Sequence, residues 1–412
     1  MINIPATKTL MPRNIGLSGN RTVYAFPGST DLVKLDFLFE AGSIYQPQLL
    51  CALAANKLLS IATKRHDASA MSKYMDYRGI ILENNNTLTQ SSLTVYMLHR
   101  YTAQVLPIVA EMFTEPAFAN DDYQLWQANR RQEIATLDQR TANVARRMFY
   151  NKLFGEQHPL GWYAKVDDVD KLQLDTVKRY FTERYTLGPC NIVAAGNVDD
   201  ELLTLIDRYF GIMSCPELKM VTAPETAQAS RCEQKMEGAV QASIRIGRVL
   251  PLCWNDQDYA SLMLLVTALG GYFGSRLMSN VREDKGYTYG IYARTQIFRG
   301  VIVFYITADV ALGAADAAVQ EVMSELKRLC NEPMEEGELQ LVKTVLAGDF
   351  LRSVDGVFEL STRYCDMLGT SIDERLTDNI RTAINEATAA QLQELAQRLL
   401  RCEDMTVCLA GA

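Results

Sequence analysis

The sequence predicts an α+β protein of two tandem homologous domains, each a largely antiparallel sheet with helices packed on one side. Three observations lead there. Segments that alternate like half-buried strands recur among stretches of helical periodicity. The order of these segments repeats after roughly 210 residues. A polar stretch with two prolines separates the two copies. At 412 residues, with 48% apolar and 22% charged side chains, the chain has a folded globular composition and is too long for one ordinary core.

In the first copy, Leu35-Asp36-Phe37-Leu38-Phe39-Glu40-Ala41-Gly42 alternates as a strand and leads into an amphipathic helix over 48–64. A second helix, Ser69 to Tyr77, stops at Gly79, and a strand from Ser91 to Tyr96 follows, with Asn84-Asn85-Asn86 reading as a turn between them. A helical tract over 101–113 is halted at Glu115-Pro116, and the copy closes on the apolar strand Ile192-Val193-Ala194-Ala195-Gly196. The second copy repeats this order: a strand from Ala242 to Val249, a helix over 256–269, a helix from Arg276 to Lys285 ended by Gly286, and a strand from Val301 to Ile306. A helical tract over 311–329 then runs to Glu332-Pro333, and a last strand runs from Met405 to Gly411. The domains are therefore expected at 1–213 and 230–412, with a linker at about 214–229.

Composition excludes several functions. A net charge of −8 gives no electrostatic reason to approach nucleic acid or an anionic membrane. Nine cysteines, scattered and without a C-x-x-C spacing, read as reduced thiols. With no basic-then-apolar start and no run of about 18 apolar residues, a cytoplasmic location is expected.

The chemistry concentrates in Gly270-Gly271-Tyr272-Phe273-Gly274-Ser275-Arg276-Leu277, followed by Val281-Arg282-Glu283-Asp284-Lys285-Gly286-Tyr287-Thr288-Tyr289-Gly290. Gly286 allows a helix to end sharply, with Arg282 in its last turn and Tyr289 at the start of the next strand. An Arg fork and a phenol on one rim can both donate hydrogen bonds to a peptide carbonyl. The competing expectation pairs Arg282 with a carboxylate and half-buries Tyr289 in its strand. Gly270 to Gly274 lacks the Lys-Ser/Thr of a phosphate loop and reads as a hinge or flap.

This segment, the duplication, and Phe154-Gly155-Glu156-Gln157-His158-Pro159-Leu160-Gly161 together resemble the pitrilysin/insulinase-like zinc metallopeptidases. The resemblance implies that Arg282 and Tyr289 bind substrate. It also implies an inverted zinc motif, H-x-x-E-H, with a further Glu ligand downstream, and that motif is nowhere in the chain. Laid on the sequence, the motif falls on Leu53-Ala54-Ala55-Asn56-Lys57, so Leu53 and Lys57 stand for the two His ligands and Asn56 for the general base. Leu has no donor atom, Lys brings a positive charge, and Asn cannot take a proton at neutral pH. The third ligand falls on Glu133, which is expected to pair with Lys57 and fill the vacant metal position. In the resembling family an edge strand near the asparagine run accepts substrate as an added strand. His66, His99 and His158 are far apart and read as surface or turn residues, with His158 shaping a turn before Pro159.

The expected function is that of the non-zinc, substrate-binding subunit of a heterodimeric peptidase acting on oligopeptides or unfolded polypeptides. No cofactor is expected on this chain, and zinc is expected in a homologous partner that bears the motif. The alternative is a non-catalytic homodimeric scaffold, structural or peptide-binding, resembling the core subunits of respiratory complexes.

Overall fold

The computed structural model describes residue 5 and residues 7–185, 191–212 and 229–411, so the expected linker lies, but for residue 229, outside the described residues. The first copy forms β1 (Arg13–Leu17), β2 (Arg21–Pro27), β3 (Leu32–Phe39), β4 (Ile81–Asn86), β5 (Ser91–Leu98) and β6 (Asn191–Gly196), in the sheet order β1-β2-β6-β3-β5-β4. The second forms β7 (Arg231–Gln234), β8 (Gln241–Leu250), β9 (Thr288–Phe298), β10 (Val301–Ala311) and β11 (Thr406–Ala410), in the order β7-β11-β8-β10-β9. Central strands are antiparallel to their neighbours: Leu35 lies opposite Val95 and Ala194, and Ile246 opposite Ile306 and Val407. One pair in each sheet, β2 with β6 and β7 with β11, is parallel.

The helices of the first copy are α1 (Cys51–Leu58), α2 (Ala68–Arg78), α3 (Thr102–Thr114), α4 (Asn120–Asp138), α5 (Thr141–Phe154), α6 (Val166–Lys171), α7 (Leu174–Arg184) and α8 (Asp200–Phe210). Those of the second are α9 (Gln257–Gly270), α10 (Ala315–Asn331), α11 (Glu336–Arg352), α12 (Val357–Thr370), α13 (Arg375–Glu386) and α14 (Ala389–Leu399), with a π-helical turn at Met278–Asp284. Alternation along the strands decides what each face meets. Val33, Leu35, Phe37 and Phe39 of β3 face the first helical layer, where the Phe37 ring lies 5.1 Å from Phe113 and 4.7 Å from Phe210. Ile244 and Ile246 of β8 face the second layer, built from α9, α10 and α14.

The opposite faces are covered by exchange. Phe26, Leu38, Val193 and Ala195 of the first sheet pack against Val357, Phe358, Tyr364 and Leu368 of α12, which the second copy supplies. Val301, Val303 and Cys408 of the second sheet pack against Phe149, Leu153 and Phe154 of α5, which the first copy supplies. The two helices hold equivalent places in the order of their copies. Polar contacts fix the exchange: the Lys34 ammonium lies 3.1 Å from Asp36 and donates to Ser361 (3.0 Å) and Thr362 (2.8 Å), and Ser243 donates to Thr141 at 2.8 Å.

A buried ion pair joins the copies. Arg299, between β9 and β10, donates both guanidinium ends to Glu40 at the end of β3, at 2.9 and 3.0 Å, with side-chain exposures of 1% and 0%. Tyr45 Oη and Gln90 Nε2 donate to the same carboxylate at 2.8 and 3.3 Å. Burial acts to lower the Arg299 pKa, but the hydrogen bonds and charge of Glu40 outweigh it and hold it above its usual value.

Two local expectations are corrected. The helix expected over 48–64 is confined to α1, entered through Leu50 at φ +70, and the chain turns after Leu58 so that Thr63 bridges to Pro116. Asn84-Asn85-Asn86 is not a turn but the end of edge strand β4, paired with Leu93, Ser92 and Ser91. Asparagine favours turns by bonding nearby backbone. Here Asn84 bonds α1 instead, and Asn86 donates to Ser91 Oγ at 2.6 Å. The turn falls at Thr87–Gln90, closed by Thr87 N to Gln90 O at 2.8 Å.

Because removing one partner leaves a buried charge uncompensated, Glu40→Gln or Arg299→Ala is expected to destabilise the chain by about 3–5 kcal/mol. Urea unfolding followed by fluorescence measures this, and the loss of a joint between the copies should split the transition into two.

Candidate functional site

The π-helical turn at Met278–Asp284 and the start of β9 build one rim. Lys285 N bonds Asn280 O at 3.0 Å, Tyr287 N bonds Val281 O at 3.0 Å, and Gly286 takes φ +65, so the chain reverses between helix and strand within three residues. Arg282 lies in the last turn and Tyr289 is the second residue of β9, as the sequence suggested.

The two arginines of the segment have different fates. Arg276, 9% exposed, is held by Glu338 through two bonds of 2.6 and 2.7 Å and is structural. Arg282 lies 4.4 Å above the Phe273 ring and 3.6 Å from the Glu283 carboxylate, with a third of its side chain open to solvent. Tyr289 is exposed to 101% of its reference area, so the half-buried expectation fails and its ring adds nothing to the core. Arg282 and Tyr289 line one groove of about 650 Å³, with Val240, Gln241, Glu283 and Asp309 also on its walls. At Gly270 a Cβ would stand 2.5 Å from Ala293 N, so its missing side chain permits close packing of α9 on β9.

The zinc-motif positions lie on α1 and do not fit a metal. Leu53 packs partly buried against the first core. Asn56, fully buried, donates from Nδ2 to Ser92 O at 3.1 Å. Lys57 is exposed and donates to Asn84 O at 3.2 Å. Asn84 donates to Asn56 O at 2.7 Å and accepts from Ser60 Oγ at 2.7 Å, so hydrogen bonds to the edge strand occupy this part of the helix. The expected Lys57–Glu133 pair is not formed: Glu133, exposed on α4, pairs with Arg130 one turn away at 2.8 Å. Among the described residues no group of three His, Cys, Asp or Glu is placed to hold a metal ion. His66 faces Glu111 at 3.3 Å and His99 faces Asp199 at 3.0 Å, while His158 accepts from Leu160 N at 3.1 Å and shapes the turn as expected.

A larger cleft of about 1140 Å³ went unread in the sequence. It lies between the β4–β5 hairpin, the end of β9 and α12, with Asn85, Tyr96, Gln296, Phe298, Arg363 and Asp366 on its walls. Desolvation pushes the Asp366 carboxyl up against the opposing pull of Lys34 and Arg363, and pushes the Cys365 thiol well up beside Asp36. These residues come from segments hundreds of positions apart, and no local pattern signals their meeting.

Residues 171–346 match the family model described as the peptidase M16 inactive domain. The chain is 26% identical over 338 residues to an uncharacterized zinc protease of Mycobacterium leprae, covering 76% of this chain and 73% of that protein. It is 24% identical over 268 residues to a probable inactive metalloprotease of Bacillus subtilis, covering 62% of each. A solved peptidase M16 inactive domain from Pseudomonas fluorescens shares the fold at TM-score 0.85 and 19% identity, covering 97% of this chain and 98% of that one. By these findings the chain is similar to peptidase M16 homologues, inactive members among them. It resembles the degenerate members of that group in lacking H-x-x-E-H, and it carries Arg282 and Tyr289.

If Asn84 ties α1 to the edge strand, Asn84→Ala should cost about 1–3 kcal/mol in urea unfolding, since it strands the Asn56 carbonyl and the Ser60 hydroxyl. Lys57→Ala, which removes one exposed contact, should cost less than about 1 kcal/mol.

Proposed function

We propose that this chain is the substrate-binding, non-zinc subunit of a two-chain peptidase for oligopeptides or unfolded polypeptides. A homologous partner with H-x-x-E-H would supply the metal and the base. The observation that carries the reading is the joint placement of Arg282 and Tyr289 on one open groove, with Tyr289 wholly exposed, while the zinc-motif positions hold an apolar, an amide and an ammonium side chain. In this reading the Arg282 fork, steadied by the Phe273 face, donates to a backbone carbonyl of the peptide. The Tyr289 hydroxyl donates to a neighbouring carbonyl oxygen or to the oxyanion formed from it. Edge strand β4, with no strand on its outer side among the described residues, offers backbone groups, the Asn84 carbonyl held by Lys57 apart, to which an extended peptide can add. No bond is cleaved by this chain alone. The cytoplasmic location expected from the sequence belongs to the same reading.

After zinc loading and gel filtration, metal analysis should find well under one zinc per chain, and near one would overturn the reading. Mixed with the zinc-bearing homologue, the wild-type chain should confer peptide cleavage. Arg282→Ala should lower kcat/KM about 10–100-fold, the scale of one charged hydrogen bond. Tyr289→Phe should lower kcat by about 100-fold if it meets the oxyanion. Unchanged cleavage and peptide binding in both variants would instead leave the homodimeric scaffold standing.

A further inference from the structure

Among the described cysteines, Cys51, Cys330 and Cys402 direct their thiols at backbone carbonyls. Cys232 directs its thiol at another thiol. Cys232 of β7 and Cys408 of β11 are register partners on adjacent parallel strands, and their Sγ atoms lie 3.0 Å apart. That is inside the roughly 3.5–4.0 Å at which packed atoms rest. Adjacent strands sit about 4.8 Å apart, within the span of about 4.4–6.8 Å that a disulfide bridges between Cα atoms. Cys232 is half-buried on the outermost strand of its sheet, while Cys408 is fully buried beneath it.

The geometry points to a redox site: Cys232 and Cys408 form a reversible disulfide when a hydroperoxide reaches Cys232. Exposure sets the roles. Cys232 Sγ, as thiolate, attacks one peroxide oxygen; the O–O bond breaks, the sulfur loses two electrons and becomes a sulfenic acid, and the departing oxygen takes a proton. Cys408 Sγ then attacks the Cys232 sulfur; the S–O bond breaks, and the oxygen leaves as water with the Cys408 proton. Two thiols and one hydrogen peroxide thus give one disulfide and two waters. Burial and the neighbouring Cys232 push the Cys408 thiol up, Lys152 and Arg245 pulling the other way, so Cys408 stays protonated and does not meet the peroxide first, and it gives up its proton only as it attacks the adjacent Cys232 sulfur. The bond would tie the four-residue opening strand of the second copy to its final strand. A thiol reductant would release it by exchange. The inference rests on the fold and is independent of any peptidase role.

The test uses the full-length reduced chain with one equivalent of hydrogen peroxide, followed by thiol alkylation and peptide mapping without reductant. A linked peptide joining Cys232 to Cys408 should be the main oxidised species, with two of the nine thiols lost. In Cys408→Ser, a sulfenic acid should persist at Cys232 and be captured by a 1,3-diketone; in Cys232→Ser, peroxide consumption should fall by about 10-fold or more. Oxidation of other cysteines first, or separate oxidation of these two without a link, would overturn the proposal, and the wild-type map alone decides between these outcomes.

Discussion

The Glu40–Arg299 pair is the constraint on which the arrangement of the two copies depends. Two charges have been withdrawn entirely from water, and this is tolerable because Arg299 meets both carboxylate oxygens while Tyr45 and Gln90 satisfy the same group. Such a pair yields little net stability compared with apolar packing, but it permits few alternative positions. The tip of the β9–β10 hairpin has to meet the end of β3. With that point set, α12 lies on the back of the first sheet, α5 on the back of the second, and the cleft lined by Asn85, Gln296 and Asp366 is left between them.

Much of this was legible in the sequence because much of it is local. The alternation of 35–42 and 242–249, the proline stops after α3 and α10, and the reversal at Gly286 each depend on residues close in the chain, and each is found in the structure. What was illegible depends on distant partners. Glu40 reads as one more polar residue at a strand end, since its partner lies 259 positions away. Asn84 reads as a turn former because local propensity assigns its amide to nearby backbone, whereas the fold gives it α1. The face of α5 that covers the second sheet carries no mark of whose sheet it will cover. The spacing that suggested a Lys57–Glu133 pair did not account for Arg130, one helical turn from Glu133 and better placed to pair with it.

The candidate site shows how residue type underdetermines role. Arg276 and Arg282 lie six positions apart in one segment, yet Glu338 locks the first while the second rests on an exposed aromatic ring. On and just after α1, where the zinc motif of the resemblance falls, Asn56, Ser60 and Lys57 form hydrogen bonds with Asn84 and Ser92, so this part of the chain braces an edge strand. Arg282 and Tyr289 have no comparable structural employment.

The exchange of α5 and α12 bears on how the chain leaves the ribosome. Helix α5 emerges early with Phe149, Leu153 and Phe154 on a face whose partner sheet is completed by β11, which is translated some 250 residues later. At about 5–20 residues per second, that apolar face waits on the order of tens of seconds before its sheet exists. During this interval the nascent first copy presents a greasy surface to the surroundings, and so offers a binding target for chaperones that the finished protein has hidden.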